Sequence, residues 1–324
     1  MDQEQNDLNI SIQSIDDITR CLTLASLLEL AGWPKPGNIH RTKDFEITKF
    51  EHFLAGIAAI QPNFRELCTR IYQFSYKEDT DFQFVELGCF FYKAAKSMLD
   101  WQNGGNVLLG HILILAPLAA AATICLKAQN NNIVDFQRYL KKIIDASSVE
   151  DTVNLFRAIK LCNPGGLGKI EKYDINDEKS LNEIIADKVT LKEIFNYSKD
   201  YDLISFEYST IFNIILNEGL PYFLNTFILH KDINIATVNT FLYLLSLHPD
   251  TLIIRKSGKN FALKVLNSAS EILEYGGISS KKGLNLTRKL DDELHKHMGK
   301  LNPGTTADLI SGIIFCALIF GLKF

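Results

Sequence analysis

The chain has 324 residues, 47% of them hydrophobic and 22% charged, with 34 Lys and Arg against 38 Asp and Glu. A formal net charge of −4 excludes a general nucleic-acid binder, whose affinity comes from a basic surface, so any phosphate binding must be local. The length suits one large domain or two smaller ones, and six cysteines without paired spacing read as reduced thiols in a cytoplasmic protein.

Residues 1–14 are polar, lack a firm period and are expected to form a flexible tail. Residues 15–324 are expected to form a single all-α domain. The first helix begins at Asp16 and Asp17, which suit the positive end of its dipole, and buries Ile18, Leu22 and Ala25. It ends near Gly32, because Pro34 and Pro36 cannot continue it. The stiff loop that follows carries Lys35, His40 and Arg41, then Asp44. Phe50, Phe53, Leu54 and Ile57 share the face of a second helix, and Pro62 is expected to open a third. Residues 81–100 repeat apolar positions at helical spacing.

The most informative stretch comes next. Asn103, Gly104, Gly105 and Asn106 form a polar turn, and from 107 to 126 only Gly110, His111, Pro117 and Thr123 interrupt an apolar run. A run of about 20 apolar residues could span a bilayer. His111, Pro117 and the lack of a basic cluster at either end favour a buried central helix around which the others pack. Its N-terminus, with Asn106 at the mouth, is a candidate anion site. His111 reads as a satisfied core histidine or as a polar group at that mouth.

Two helices follow, and a second glycine-rich turn (Pro164, Gly165, Gly166, Gly168) leads to Asp174. It lacks the preceding strand and the Lys-Ser/Thr pair of a phosphate loop. Helical patterns continue from 181 to 247, with 233–238 and 251–254 as the best, short, strand candidates. Asp250, Arg255, Lys256 and Gly258 then flank an apolar segment, and Asn302, Pro303, Gly304, Thr305, Thr306 and Asp308 open the last helix. Thr305 or Thr306 can cap that helix, making another anion site. His295 and His297, two residues apart on a helix, point in opposed directions and read as surface residues. The loop carboxylates suit Mg²⁺ better than zinc.

Taken together, these blocks resemble the triphosphoribosyl-dephospho-coenzyme-A synthase family, in particular its archaeal-type branch. The likeness rests on Glu29 with Pro34-Lys35-Pro36-Gly37, Gly105-Asn106 with Gly110 and the alanine-rich helix, and Gly165-Gly166-Leu167-Gly168 with Tyr173-Asp174. Pro249-Asp250-Thr251 with Arg255-Lys256, Leu290-Asp291, and Asn302 through Leu309 complete it. Two blocks depart from the bacterial pattern. His40-Arg41 stands where an aspartate and arginine are usual, and Asn106-Val107-Leu108-Leu109-Gly110 where Asn-Thr-His-Lys-Gly is usual.

The resemblance implies a transferase that moves a triphosphoribosyl group from ATP to 3′-dephospho-CoA and releases adenine. It implies triphosphate contacts from Lys35, Arg41, Asn106, Arg255, Lys256, Thr305 and Thr306, and Mg²⁺ held by Asp44, Asp174 and Asp250. Glu29 and Asp308 are the carboxylates expected at the reacting centre. Partners are then ATP and a nucleotide-like or cofactor-precursor acceptor, with no nucleic acid and no membrane. The oligomeric state is open, a homodimer being one option. A related ribosyl transfer to another acceptor, for instance in pterin-cofactor biosynthesis, and a non-catalytic nucleotide-binding helical protein are the alternatives. Adenine release separates them.

Overall fold

A computed structural model describes residues 8–75, 81–168 and 172–324. Among these the chain forms fifteen α-helices and no strand, so the all-α expectation holds. In order they are α1 (Ile15–Ala31), α2 (Phe50–Gln73), α3 (Leu87–Asp100), α4 (Leu109–Ala128), α5 (Ile133–Asp145), α6 (Val149–Cys162), α7 (Ser180–Ala186) and α8 (Leu191–Ser198). Then come α9 (Leu203–Thr210), α10 (Leu220–His230), α11 (Ile233–Leu247), α12 (Thr251–Ser257), α13 (Lys259–Glu274), α14 (Lys281–His295) and α15 (Gly304–Ile319). A π-helical turn, Ile214–Gly219, leads into α10. The strand candidates at 233–238 and 251–254 are helical, in α11 and α12.

The apolar run becomes α4, and every side chain from His111 to Cys125 is buried. Helices α1, α2, α3, α5, α9 and α15 pack around it. With no polar face to turn to water, α4 is stable only because neighbours cover it on all sides. It is the one described helix long and apolar enough to cross a membrane, and 89% of that window lies buried inside the protein. The second fully apolar helix, α15, crosses α4 at Gly312, where a Cβ would stand 2.7 Å from both Ile114 Cγ2 and Ile215 Cδ1. A larger residue there would force the two helices apart.

Three local expectations change. Pro62 lies inside a continuous α2 rather than opening a new helix; a proline removes one backbone donor, and the surrounding packing holds the helix through it. Residues 8–14 are not loose. Ile10 and Ile12 are buried, the Ser11 amide donates to the Ile319 carbonyl and the Ile133 amide to the Leu8 carbonyl. Their alternation of apolar and polar residues, rather than a helical period, was the signal. The remainder of the expected tail, 1–7, lies outside the described residues. His295 is largely buried, its ring beside Phe45 and its Nδ1 2.9 Å from an oxygen of Asp291.

Candidate active site

The N-termini of α4 and α15 open into a cavity of about 510 Å³, within the usual range for a small-ligand site. Each of the five polar loops singled out in the sequence reaches its lining: Asn38 from 34–44, Asn106 from 103–106, Gly166, Gly168 and Asp174 from 164–174, Leu252 and Arg255 from 249–258, and Asn302, Thr305 and Asp308 from 302–308. Asn38 Nδ2 donates to Asn302 Oδ1 (2.8 Å), tying the first loop to the last. Asn106 Oδ1 accepts from the Leu109 amide (3.1 Å) and so caps α4. The lining also includes apolar and aromatic side chains, among them Phe156, Ile194, Phe195, Tyr197 and Tyr201.

At the polar end, four charged side chains form a line. Lys35 is fully buried; its ammonium donates to the Glu29 carboxylate and, at 2.7 Å, to the Glu29 backbone carbonyl. The other carboxylate oxygen of Glu29 lies 3.2 Å from His111 Nε2. His111 Nδ1 lies 3.0 Å from Asp308 Oδ1. Asp308 is the most accessible of the four, its side chain 20% exposed. Gly110 leaves room for its carboxylate, because a Cβ at 110 would stand 1.9 Å from Asp308 Oδ2.

Burial disfavours charge throughout this line, and the partners decide the outcome. For Glu29 burial pushes upward, but Lys35 and His111 hold the carboxyl below its usual range. For His111 burial pushes downward, yet Asp308 and Glu29 together raise it to about 9. Burial raises Asp308 against the hydrogen bond and charge of His111, and it lowers Lys35 against Glu29.

The remaining expected site residues divide sharply. Thr305 lines the cavity and its hydroxyl accepts from Thr251 (3.2 Å). Arg255 lines it too; one terminal nitrogen pairs with Asp202, while its Nε is buried with no hydrogen-bond partner. Asp174 lines it, with one oxygen accepting from the Asn176 amide (2.8 Å). Six residues do not reach the lining.

Lys35 sits behind Glu29, closed off from any ligand. Arg41 is exposed and donates to the Ala31 carbonyl (2.7 Å). Lys256 extends beneath Gly166 to the Gly299 carbonyl (3.3 Å). Asp44 is exposed and accepts from the Phe50 amide (2.7 Å), a cap at the start of α2. Asp250 is buried as the N-cap of α12. It accepts from the Leu252 and Ile253 amides (2.9 and 3.1 Å) and from the Thr306 amide and hydroxyl (2.7 and 2.8 Å). Four donors leave this carboxylate no capacity for a cation, and the same bonds occupy Thr306. In a sequence, an aspartate that caps a helix and one that holds Mg²⁺ look alike. Conversely, Asp202, which was not among the expected residues, belongs to the site, and of the two readings of His111 the structure gives the polar group at the mouth of α4.

Asp44, Asp174 and Asp250 are therefore not brought together, and among the described residues no group of three His, Cys, Asp or Glu side chains could hold a metal ion. A Mg²⁺ that arrives on nucleotide phosphates needs only one or two protein carboxylates, and Asp174 in the cavity lining fits that smaller requirement.

The sequence profile of the ATP:dephospho-CoA triphosphoribosyl transferase family matches residues 15–323. Candidate 2-(5″-triphosphoribosyl)-3′-dephosphocoenzyme-A synthases from Salmonella gallinarum and Salmonella typhimurium are each 30% identical over 100 residues, 31% of this chain and 32% of theirs. The match thus spans about a third of the length of these curated relatives. The crystal structure of a candidate triphosphoribosyl-dephospho-CoA synthase from Archaeoglobus fulgidus superposes with a TM-score of 0.62 at 26% identity, covering 83% of this chain and all of that one.

Proposed function

The chain belongs to the ATP:dephospho-CoA triphosphoribosyl transferase family, and from that premise we propose that its cavity transfers the triphosphoribosyl group of ATP to a hydroxyl of a nucleotide-like acceptor, 3′-dephospho-CoA first among them, with release of adenine. One observation carries this reading: two helix N-termini and a hydrogen-bonded carboxylate, Asp308, line one cavity together with apolar and aromatic side chains. That combination suits a triphosphate and a cationic sugar centre on the polar groups and a base against the aromatic ones.

The ribose C1′ gains positive charge as the bond to adenine breaks, and a fixed carboxylate in a water-poor site stabilises such charge. Asp308 is the group placed for this. As the acceptor oxygen bonds to C1′, Asp308 takes the hydroxyl proton. The C1′–N bond breaks with its electron pair on adenine, which takes up one proton, so the exchange balances. Glu29, clamped by Lys35 and His111, orients rather than reacts. Arg255 supplies charge for the phosphates, with Thr305 and the first turns of α4 and α15 adding donors. Bound Mg²⁺ would neutralise phosphate charge, with Asp174 as its protein ligand. The six cysteines are free thiols, in keeping with a cytoplasmic enzyme.

Chromatography of ATP incubated with the protein and Mg²⁺ tests the reading. Adenine should appear only when an acceptor is present, and a triphosphoribosyl-acceptor conjugate should form in equal amount. Adenine release with another acceptor but not dephospho-CoA would move the assignment to the related transfer. ATP binding without any adenine release would leave a nucleotide-binding protein.

A further inference from the structure

The line of charges at the mouth of α4 has a consequence for His111. Its ring is flanked on both sides: Nδ1 lies 3.0 Å from Asp308 Oδ1 on α15 within hydrogen-bond geometry, and Nε2 lies 3.2 Å from Glu29 Oε2 on α1, an ion-pair distance without hydrogen-bond alignment. A neutral imidazole has one N–H and one lone pair. Either neutral tautomer would therefore turn a lone pair on a carboxylate in a buried place, where repulsion is weakly screened. With both carboxylates ionised, only the doubly protonated ring attracts both neighbours.

Glu29 is fixed on its other oxygen by Lys35, and the Asp308 carboxylate rests in the space left by Gly110. Lys35, Glu29, His111 and Asp308 thus alternate cation, anion, cation, anion from the interior to the cavity. The charges sum to zero with a protonated ring, and to −1 with a neutral one.

We propose that His111 is a positioning residue, a resident imidazolium that holds Asp308 ionised and aimed at the cavity. Its catalytic consequence rests on the transfer reaction proposed above; its protonation state does not. Without the ring's charge, Glu29 and Asp308 would share one Lys35, and a carboxyl near a second carboxylate resists ionisation. Asp308 would then hold a proton at neutral pH and could accept none from the acceptor. The groups facing the ring are Glu29 and Asp308, with Lys35 behind the former and Arg255 on the far side of the latter. The raised value of His111, about 9, agrees with this arrangement.

Two measurements test it. Nitrogen-15 NMR of the histidine-labelled, full-length protein reads the ring directly, with His111 assigned by comparison with His111→Asn. At pH 7.5 both nitrogens should show imidazolium shifts, and a neutral tautomer there overturns the proposal whatever the enzyme catalyses. The second is the pH profile of adenine release. Wild type should hold its activity level through neutrality, because the charged ring keeps Asp308 ionised there. His111→Asn should lack that plateau and instead gain activity as pH rises through neutrality, as Asp308, left beside Glu29 without the ring's charge, gives up its proton. A uniform drop with an unchanged profile would mean that the ring only fills space, and would also overturn the proposal. Should the variant fail to fold, the NMR result on wild type decides alone. Absence of adenine release with a clear imidazolium signal would sink the proposed reaction and leave the protonation state standing.

Discussion

Replacing Gly110 with alanine sets two effects against each other at one atom. An alanine in the first turn of α4 gains up to about 1 kcal/mol of helix preference over glycine. Its Cβ, however, would stand 1.9 Å from Asp308 Oδ2 and 2.1 Å from Cγ, so the carboxylate must withdraw by more than about 1 Å to reach an ordinary contact. That withdrawal breaks the 3.0 Å bond to His111 Nδ1, a charge-assisted hydrogen bond worth about 1.5–3 kcal/mol. The balance is a loss of about 0.5–2 kcal/mol, a fall in Tm of a few degrees with the fold retained. Activity should suffer far more, because misplacing a reacting group by about 1 Å costs on the order of 100-fold in rate. The assay is adenine release from saturating Mg-ATP and acceptor, alongside a melting curve and an ATP titration. A Gly110→Ala protein that releases adenine at the wild-type rate would refute the assignment of Asp308 to the reacting centre.

Arg255→Gln should weaken ATP by roughly 10- to 150-fold, the loss of one charge-assisted contact of about 1.5–3 kcal/mol, whereas Lys256→Gln should bind ATP like wild type; calorimetry on the pair separates them. Asp250→Ala should lower stability by about 2–4 kcal/mol, since it removes a helix cap and strands the buried donors of Thr306; an unchanged denaturation midpoint would contradict the clip between α12 and α15. Stability should also fall with pH on account of His111. Its folded-state value near 9 lies above the ordinary 6.5, so its contribution is complete below about 6.5 and is lost as pH rises towards 9. The Tm of wild type should therefore decline more steeply across that window than that of His111→Asn. ATP binding should weaken in EDTA, and equal affinity with and without Mg²⁺ would remove the metal from the scheme.

Much of the architecture was legible because α4 announces itself: an apolar run with no polar face has one soluble solution, burial among other helices. The polar loops that line the cavity were legible too, since glycine and charge cluster at helix ends. The partners were not. His111 and Asp308 are 197 residues apart, and nothing local distinguishes a histidine packed in oil from one held between two acids. Lys35 and Arg255 are both cations on loops in the sequence; only the fold places one wholly inside against Glu29 and the other on the cavity wall. Asp250 shows the same limit from the other side, because a Pro-Asp-Thr-Leu start is a cap signal as readily as a metal signal.

Two parts of the cavity lining differ in what they cost to change. Gly110 and His111 belong to the helix on which the whole interior rests, and Asp308 to its closest apolar companion. Tyr197 and Tyr201, also in the cavity lining, are 59% and 47% exposed and sit at the end of the short helix α8 and just beyond it. Exchanges at such half-open positions usually shift stability by no more than about 0.5 kcal/mol. For the proposed transfer, the lining offered to an acceptor can therefore be recut at Tyr197 and Tyr201 while Gly110, His111 and Asp308 stay as they are. Choice of acceptor and durability of the fold are separable traits in this scaffold, and a search for altered acceptors is best confined to those two positions.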